Sequence, residues 1–396
     1  MGREEWCNDL PERKELMSGE RPAEGGRAVP EALGLENRAL LERFQAGKKV
    51  GLARAISLVE NEHPGFQAFL HAVLVTPRFG NRIGLTGPPG AGKSTLVAAL
   101  SRAYRERGEE VAVVAVDPTS PYSGGALLGD RIRMNDLTTD PGIFIRSMAT
   151  RGSLGGLATT TKEVLDLMDA FGFPWVLVET VGVGQTELEI TGAADTVVVI
   201  LVPESGDAIQ AMKAGLMEIA DIFVVNKADR PGADRLVKDL QLAIHLKEGS
   251  ALRDVPAHHG VDLRRVGVLA SARARSTKGD EPEGWEIPVL KTVAQTGEGV
   301  PALMEAVARH RSFLEATGGL EERRKARAAG RVRDVVQREL RRAAWSSHKV
   351  QQILEAGVDD IAAASETPYS LAEEILVALL GPGWRRPGVT GDGGGA

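Results

Sequence analysis

Residues 84–95 read Gly84-Leu85-Thr86-Gly87-Pro88-Pro89-Gly90-Ala91-Gly92-Lys93-Ser94-Thr95, a Gly-rich turn between an apolar run and a stretch of helical spacing. From Gly87 to Ser94 the turn satisfies G-x-x-x-x-G-K-[ST] at every position, and it lies after a strand and before a helix, where the motif works. Glycines let the backbone bend until its N–H groups converge on phosphate oxygens, and the helix start that follows adds a favourable dipole. Lys93 is then a point charge for the β and γ phosphates. The Ser94 hydroxyl is a ligand for Mg²⁺.

Outward from this turn, strands alternate with helices. Arg82–Thr86, Glu110–Val116, Gly142–Ile145, Trp175–Glu179, Thr196–Val202 and Ile222–Val225 are short apolar runs rich in β-branched residues, and Val289–Thr292 follows a polar stretch, Arg273–Glu286. Helical spacing appears over Ser94–Arg107, Leu157–Ala170 and Ser205–Ile219. Nearly continuous apolar strands separated by helices predict a mostly parallel sheet covered on both faces, the α/β fold of a P-loop NTPase. Before it, residues 34–76 predict helices, with Leu35, Leu40, Leu41 and Phe44 on one face and breaks at Gly47–Lys49 and near Gly65. The nucleotide domain is expected over 77–300 and a helical segment over 301–382, with tails at 1–33 and 383–396. Within Arg323–Arg342, nine basic residues face two acids, and Val332, Val335, Val336 and Leu340 form an apolar stripe. The expectation is a helix packing by that stripe, with its basic face solvated. The last helix should open on a capping box of Ser370 and Glu373.

Two further motifs sit at strand ends. Val178-Glu179-Thr180-Val181-Gly182 places an acid for the Mg²⁺ hydration shell and, at Gly182, an N–H for the γ-phosphate. Asn226-Lys227-Ala228-Asp229 matches N-K-x-D. A carboxylate at Asp229 accepts both edge N–H groups of guanine, which adenine does not offer, and sites of this kind discriminate by roughly 10⁴ or more. Asn226 ties the loop to the cradle, and the Lys227 stem covers the base. Thr292, Val293 and Ala294 fall where a backbone N–H meets the guanine carbonyl. Asp117 and Asp130, in Asp117-Pro118-Thr119-Ser120 and Gly129-Asp130-Arg131-Ile132-Arg133-Met134, are candidates for metal or hydrolytic water.

Composition narrows the class. With 43% hydrophobic and 26% charged residues, the chain has a globular composition, and a net charge of −6 offers no overall attraction to nucleic acid. One cysteine, Cys7, precludes an intrachain disulfide or a multi-cysteine metal site. Thr196–Val202 falls far short of the roughly 20 residues that span a bilayer, and the acid-rich first 30 residues do not read as a targeting signal. A cytoplasmic protein is expected, acting on neither membrane nor nucleic acid.

Together these residues resemble the MeaB/MMAA/ArgK family of GTPases. The resemblance rests on A-R-A-I-S-L-V-E at 53–60, the cradle, V-D-P-T-S at 116–120, L-G-D-R-I-R-M at 128–134, E-T-V-G-V-G-Q-T-E at 179–187, N-K-A-D, G-W-x-x-P-V-L-K-T-V-A at 284–294 and P-Y-S at 368–370. It implies a GTPase chaperone that gates adenosylcobalamin delivery to a B12-dependent acyl-CoA mutase and protects or rescues that mutase. It also implies a switch around Glu204–Lys213, where Asp207, Gln210 and Lys213 couple mutase contact to hydrolysis, and a homodimerisation arm after about Pro301. Two alternatives stay open. One is a kinase of an arginine/ornithine transport system. The other is a metal-insertion GTPase, for which only His258-His259 are adjacent histidines. If the guanine reading holds, Asp229→Asn exchanges a double acceptor for an acceptor–donor pair. Nucleotide titration should then show guanine affinity lost and xanthine affinity gained, and equal GTP and ATP affinity in the unmodified chain would refute the reader.

Overall fold

The computed structural model describes residues 33–75, 79–117, 137–149, 159–180, 189–203, 215–249, 284–382 and 384. The chain divides into two compact units, at Pro77/Arg78. In the first, α1 (Leu35–Gln45), α2 (Lys49–Glu60) and α3 (Phe66–Leu74) are amphipathic. Phe44 and Phe69 meet edge to face with centroids 6.0 Å apart. Leu41 and Phe44 are buried as expected, but Leu35, at the first position of α1, is 83% exposed.

In the second unit the strands are β1 (Asn81–Thr86), β2 (Val111–Asp117), β3 (Ile143–Ala149), β4 (Trp175–Glu179), β5 (Thr196–Leu201), β6 (Ile222–Asn226) and β7 (Val289–Thr292). They form one parallel sheet in the order β3-β2-β4-β1-β5-β6-β7. β5 and β6 are buried at every residue, which explains why they read as unbroken apolar runs. α4 (Lys93–Glu106) turns Leu96, Val97, Leu100 and Tyr104 into the core, and α5 (Thr159–Phe171) turns in Val164, Leu165 and Met168. Two more helices, α6 (Leu216–Ile219) and α7 (Ala233–Gly249), flank β6 in sequence. Of the helix expected over Ser205–Ile219, residues 215–219 are described, and there the expectation is corrected: Gly215, with φ of 74°, is the N-cap of a separate four-residue helix, so no continuous helix runs through position 215.

α8 (Val300–Ala316) belongs to the core of the sheet. Val300, Leu303, Met304 and Val307 share one hydrophobic cluster with Ile83, Leu85, Val198 and Val224. α9 (Gly319–Ser346), α10 (His348–Ala362) and α11 (Pro368–Leu380) complete the chain's helices among the described residues. The α11 cap differs from expectation: Thr367 is the N-cap and Ser370 its N3 partner, each side chain bonding the other's backbone N–H at 3.2 Å.

The larger correction concerns α9. Its basic face is not solvated. Arg323 makes a two-pronged bond to Asp221 (2.9 and 2.9 Å), Arg327 meets Asp195 (3.0 Å), Arg331 meets Asp166 (3.1 Å) and Arg338 meets Glu163 (2.9 Å). Positions 323, 327 and 331 lie four apart, so one helix face presents them together. Val332, Val336 and Leu340, expected to pack inward, are 64, 49 and 56% exposed. Charge complementarity with the sheet unit won over the apolar stripe, since Asp195 and Asp221 immediately precede β5 and β6 and are almost fully buried.

Tyr104 carries a test of core energetics. Its ring stacks on Trp175 at 4.2 Å, yet its hydroxyl is buried with no hydrogen-bond partner, and burial pushes its pKa well up. Tyr104→Phe keeps the stack and removes the unsatisfied group. Thermal or urea unfolding should show stability raised by about 1 kcal/mol.

Candidate nucleotide site

The expected site residues that the structure describes collect at one edge of the sheet, the carboxyl ends of the parallel strands, where ligands bind in open α/β folds. β1 runs into the cradle, β4 ends on Glu179, β2 on Asp117, β6 on Asn226 and β7 on Thr292. β1 lies between β4 and β5, so Glu179 is one strand from the cradle in register with Leu85. Asp117 is described by its main chain alone, and Asp130, Gly182 and Lys213 lie outside the described residues, as does the whole Glu204–Lys213 segment.

The cradle is built on positions that tolerate no side chain. Gly87 has φ of 141°, and a Cβ there would lie 2.1 Å from the Ile200 carbonyl of β5. Gly92 has φ of 85°, in the left-handed region that favours glycine, and caps α4. A Cβ on it would sit 2.5 Å from Asn226 Nδ2. Between them, Pro89 and Gly90 are exposed, Pro88 is half-buried and Ala91 is buried. The loop thus stands free at its tip and is clamped at both ends. Thr95, in the first turn of α4, is half-buried.

Lys93 is almost wholly buried, and its Nζ donates to the carbonyls of Gly87 (2.9 Å) and Pro88 (3.1 Å). The ammonium is therefore folded over the loop. Ser94 Oγ donates to Glu179 Oε1 at 2.6 Å, and both residues are buried. This brings together two of the residues expected at the metal. Below them, Thr180 Oγ1 donates to Thr86 Oγ1 (2.9 Å) and Thr180 N–H to the Leu85 carbonyl (3.1 Å). Sequence reading did not single out this hydroxyl pair, although Thr86 directly precedes the cradle and Thr180 lies within the motif at 178–182.

Asn226 is the tie between cradle and reader. Its Nδ2 donates to the Ala91 carbonyl (2.8 Å), while its Oδ1 accepts from Thr292 Oγ1 (3.1 Å) and from Ala294 N–H (3.1 Å). The N–H of Val293 donates to Glu298 O (3.0 Å) and that of Ala228 to Thr292 O (3.0 Å). A backbone N–H for guanine was expected from Thr292, Val293 or Ala294; in the structure the N–H groups of Val293 and Ala294 are engaged within the protein. Lys227 adopts φ of 56°, uncommon outside glycine, and the following turn leaves Asp229 exposed at the surface.

A cradle after β1, an acid on the neighbouring strand and an N-K-x-D turn tied to the cradle define a P-loop GTPase. The family described as methylmalonyl Co-A mutase-associated GTPase MeaB matches residues 52–349, and the chain belongs to it. Among relatives, a Pyrococcus horikoshii protein named as an inferred GTPase is 42% identical, covering 86% of this chain and 98% of that one. GTPase ArgK of Escherichia coli is 36% identical, covering 76% and 83%. The methylmalonic aciduria type A homolog of mouse, named as mitochondrial, is 35% identical over 70% and 64%. A solved structure of a protein called LAO/AO transport system kinase covers 87% of this chain and 97% of its own, with TM-score 0.56 and 25% identity.

The two cradle glycines separate strain from contact. Gly90, φ 79°, has no atom within 4 Å of an added Cβ, so Gly90→Ala should cost only the left-handed penalty, about 1–2 kcal/mol of stability. Gly92→Ala adds the collision with Asn226 and must break its bond to Ala91. GDP titration beside thermal unfolding should show GDP affinity reduced at least tenfold more by Gly92→Ala than by Gly90→Ala.

Proposed function

We propose that this GTPase is a chaperone that gates adenosylcobalamin loading and protects or reactivates a B12-dependent acyl-CoA mutase. The observation that carries the reading is the family match over residues 52–349, which spans the cradle, Glu179 and the N-K-x-D turn. The relative named for methylmalonic aciduria points the same way.

On this reading the residues divide the work among themselves. Lys93 exchanges its loop carbonyls for β- and γ-phosphate oxygens, a charge-assisted gain that keeps the ammonium satisfied throughout. Asp229 selects guanine, and Asn226 holds the reader at a fixed distance from the phosphates. The buried oxygens of Ser94 and Glu179, 2.6 Å apart, are the hard donors that suit Mg²⁺, with Asp117 and Asp130 as further acids for metal or attacking water. Bound there, Mg²⁺ neutralises charge on the phosphates. Gly182 supplies an N–H to the γ-phosphate, and Asp207, Gln210 and Lys213 transmit mutase contact to the hydrolytic edge.

A homodimer accompanies this reading. The face of α9 opposite its arginines carries Val332, Val336 and Leu340 in four-residue spacing, a stripe suited to a second copy. The transport-kinase alternative draws on the name of the structural neighbour. A guanine-selective site with several switch-like segments fits a hydrolytic switch better than phosphoryl transfer to a small molecule.

GTP turnover with and without purified methylmalonyl-CoA mutase tests the proposal. The mutase should stimulate turnover, Lys213→Ala should bring the stimulated-to-basal ratio towards one, and Lys93→Ala should abolish turnover. Absence of stimulation in the unmodified protein would remove the chaperone reading.

A further inference from the structure

Asp221 sits at the opposite edge of the sheet from the nucleotide site, directly before β6, with its side chain 1% exposed. Its polar contacts reach out in four directions. The carboxylate accepts from Arg323 of α9 twice at 2.9 Å and from Val197 N–H of β5 at 2.9 Å. His310 Nε2 of α8 lies 3.4 Å from Oδ1, and the other ring nitrogen of His310 bonds Thr196 Oγ1 at 2.9 Å. In the main chain, Asp221 N–H donates to the Val197 carbonyl (2.9 Å) and the Asp221 carbonyl accepts from the Trp285 indole N–H (2.8 Å). The Trp285 ring packs on His310 and Phe313, centroids 4.7 and 5.6 Å away.

The last of these bonds matters because of what Trp285 precedes. β7 begins four residues later and is four residues long; among the described residues it is the edge strand and pairs only with β6. Along its length the strand is laddered to β6, and each end carries a further side-chain bond. At one end Thr292 and Ala294 bond Asn226; at the other Trp285 bonds Asp221. The two residues that bracket β6, Asp221 and Asn226, are therefore the same two that anchor β7. We propose that Trp285, through Asp221, is a positioning residue for guanine recognition: it fixes β7 along β6 and so sets where Thr292 and Ala294 hold Asn226. This rests on the reading of Asn226–Asp229 as the guanine reader. It also makes base recognition depend on the seating of α9, because Arg323 neutralises the same carboxylate.

The test separates base from phosphate. Trp285→Phe keeps the ring packing and removes the one donor. In titrations of the full chain, GDP affinity should fall about three- to tenfold, the equivalent of one net hydrogen bond, while ADP affinity, which draws on the cradle, stays unchanged. Equal loss for both nucleotides, or loss for neither, overturns the proposal; a merely structural role of Trp285 would lower the melting temperature without changing the GDP-to-ADP ratio. If the unmodified chain does not distinguish GDP from ADP, the guanine reading itself fails and the proposal with it. A second measurement needs no variant. Coupling is reciprocal, so GDP should slow amide exchange over 285–290 more than over β3 at the far edge. Equal slowing at both edges overturns the proposal even if Trp285→Phe does not fold.

Discussion

One carboxamide holds the nucleotide edge together. The Asn226 side chain is 2% exposed, and its amide nitrogen and oxygen bond segments 135 and 68 residues away, Ala91 in the cradle and Ala294 beyond β7. Such groups are costly to leave unpaired, about 1–3 kcal/mol each, so the three segments hold one another in place. Gly92 exists in this role as much as for its backbone freedom, because any side chain would occupy the space of the amide nitrogen. The cradle and the N-K-x-D turn, separate in sequence, share one reference point.

The other edge of the sheet is organised by charge. Asp195 and Asp221 each accept a strand N–H, from Arg82 and Val197, and each then accepts an arginine from α9. For Asp195, burial works to raise the pKa, but Arg327 and the Arg82 N–H bond outweigh it and hold the carboxyl below its usual range. Arg82 itself is buried against Asp166 and Asp169, both at 2.7 Å. Removing one partner from such a set leaves a buried charge uncompensated, at a cost of about 3–5 kcal/mol. The arginine face of α9 is thus committed to the sheet unit, which leaves its apolar face outward.

These two edges are joined by strands that are too buried to move independently. β5 and β6 lie wholly in the core, and a close-packed interior transmits displacement rather than absorbing it. A helix seated at the lower edge and the N-K-x-D turn at the upper one consequently belong to one mechanical body. α8, which packs into the same core cluster as β1 and β5, also contributes His310 to the lower edge.

What was legible in the sequence was whatever depends on local pattern. The parallel sheet followed from unbroken apolar runs, because a strand covered on both faces has no polar side to show. The cradle and N-K-x-D turn were legible because backbone geometry restricts which residues can stand there. The link from Asn226 to the cradle could also be anticipated, since both motifs close strands of one parallel sheet. Other features needed the tertiary structure. Whether the arginines of α9 faced water or the sheet unit depended on carboxylates more than 100 residues earlier, such as Asp221 opposite Arg323. The helical period reveals two faces and does not say which one is matched. The engagement of the Ala294 N–H by Asn226, and of Trp285 by Asp221, was likewise unreadable, because each bond joins residues that only the register of β6 and β7 brings within reach. The sequence by itself determined the strands and the chemistry at their ends; the tertiary structure decided which distant partners hold them, because pairing of buried charges and amides is settled by position in space.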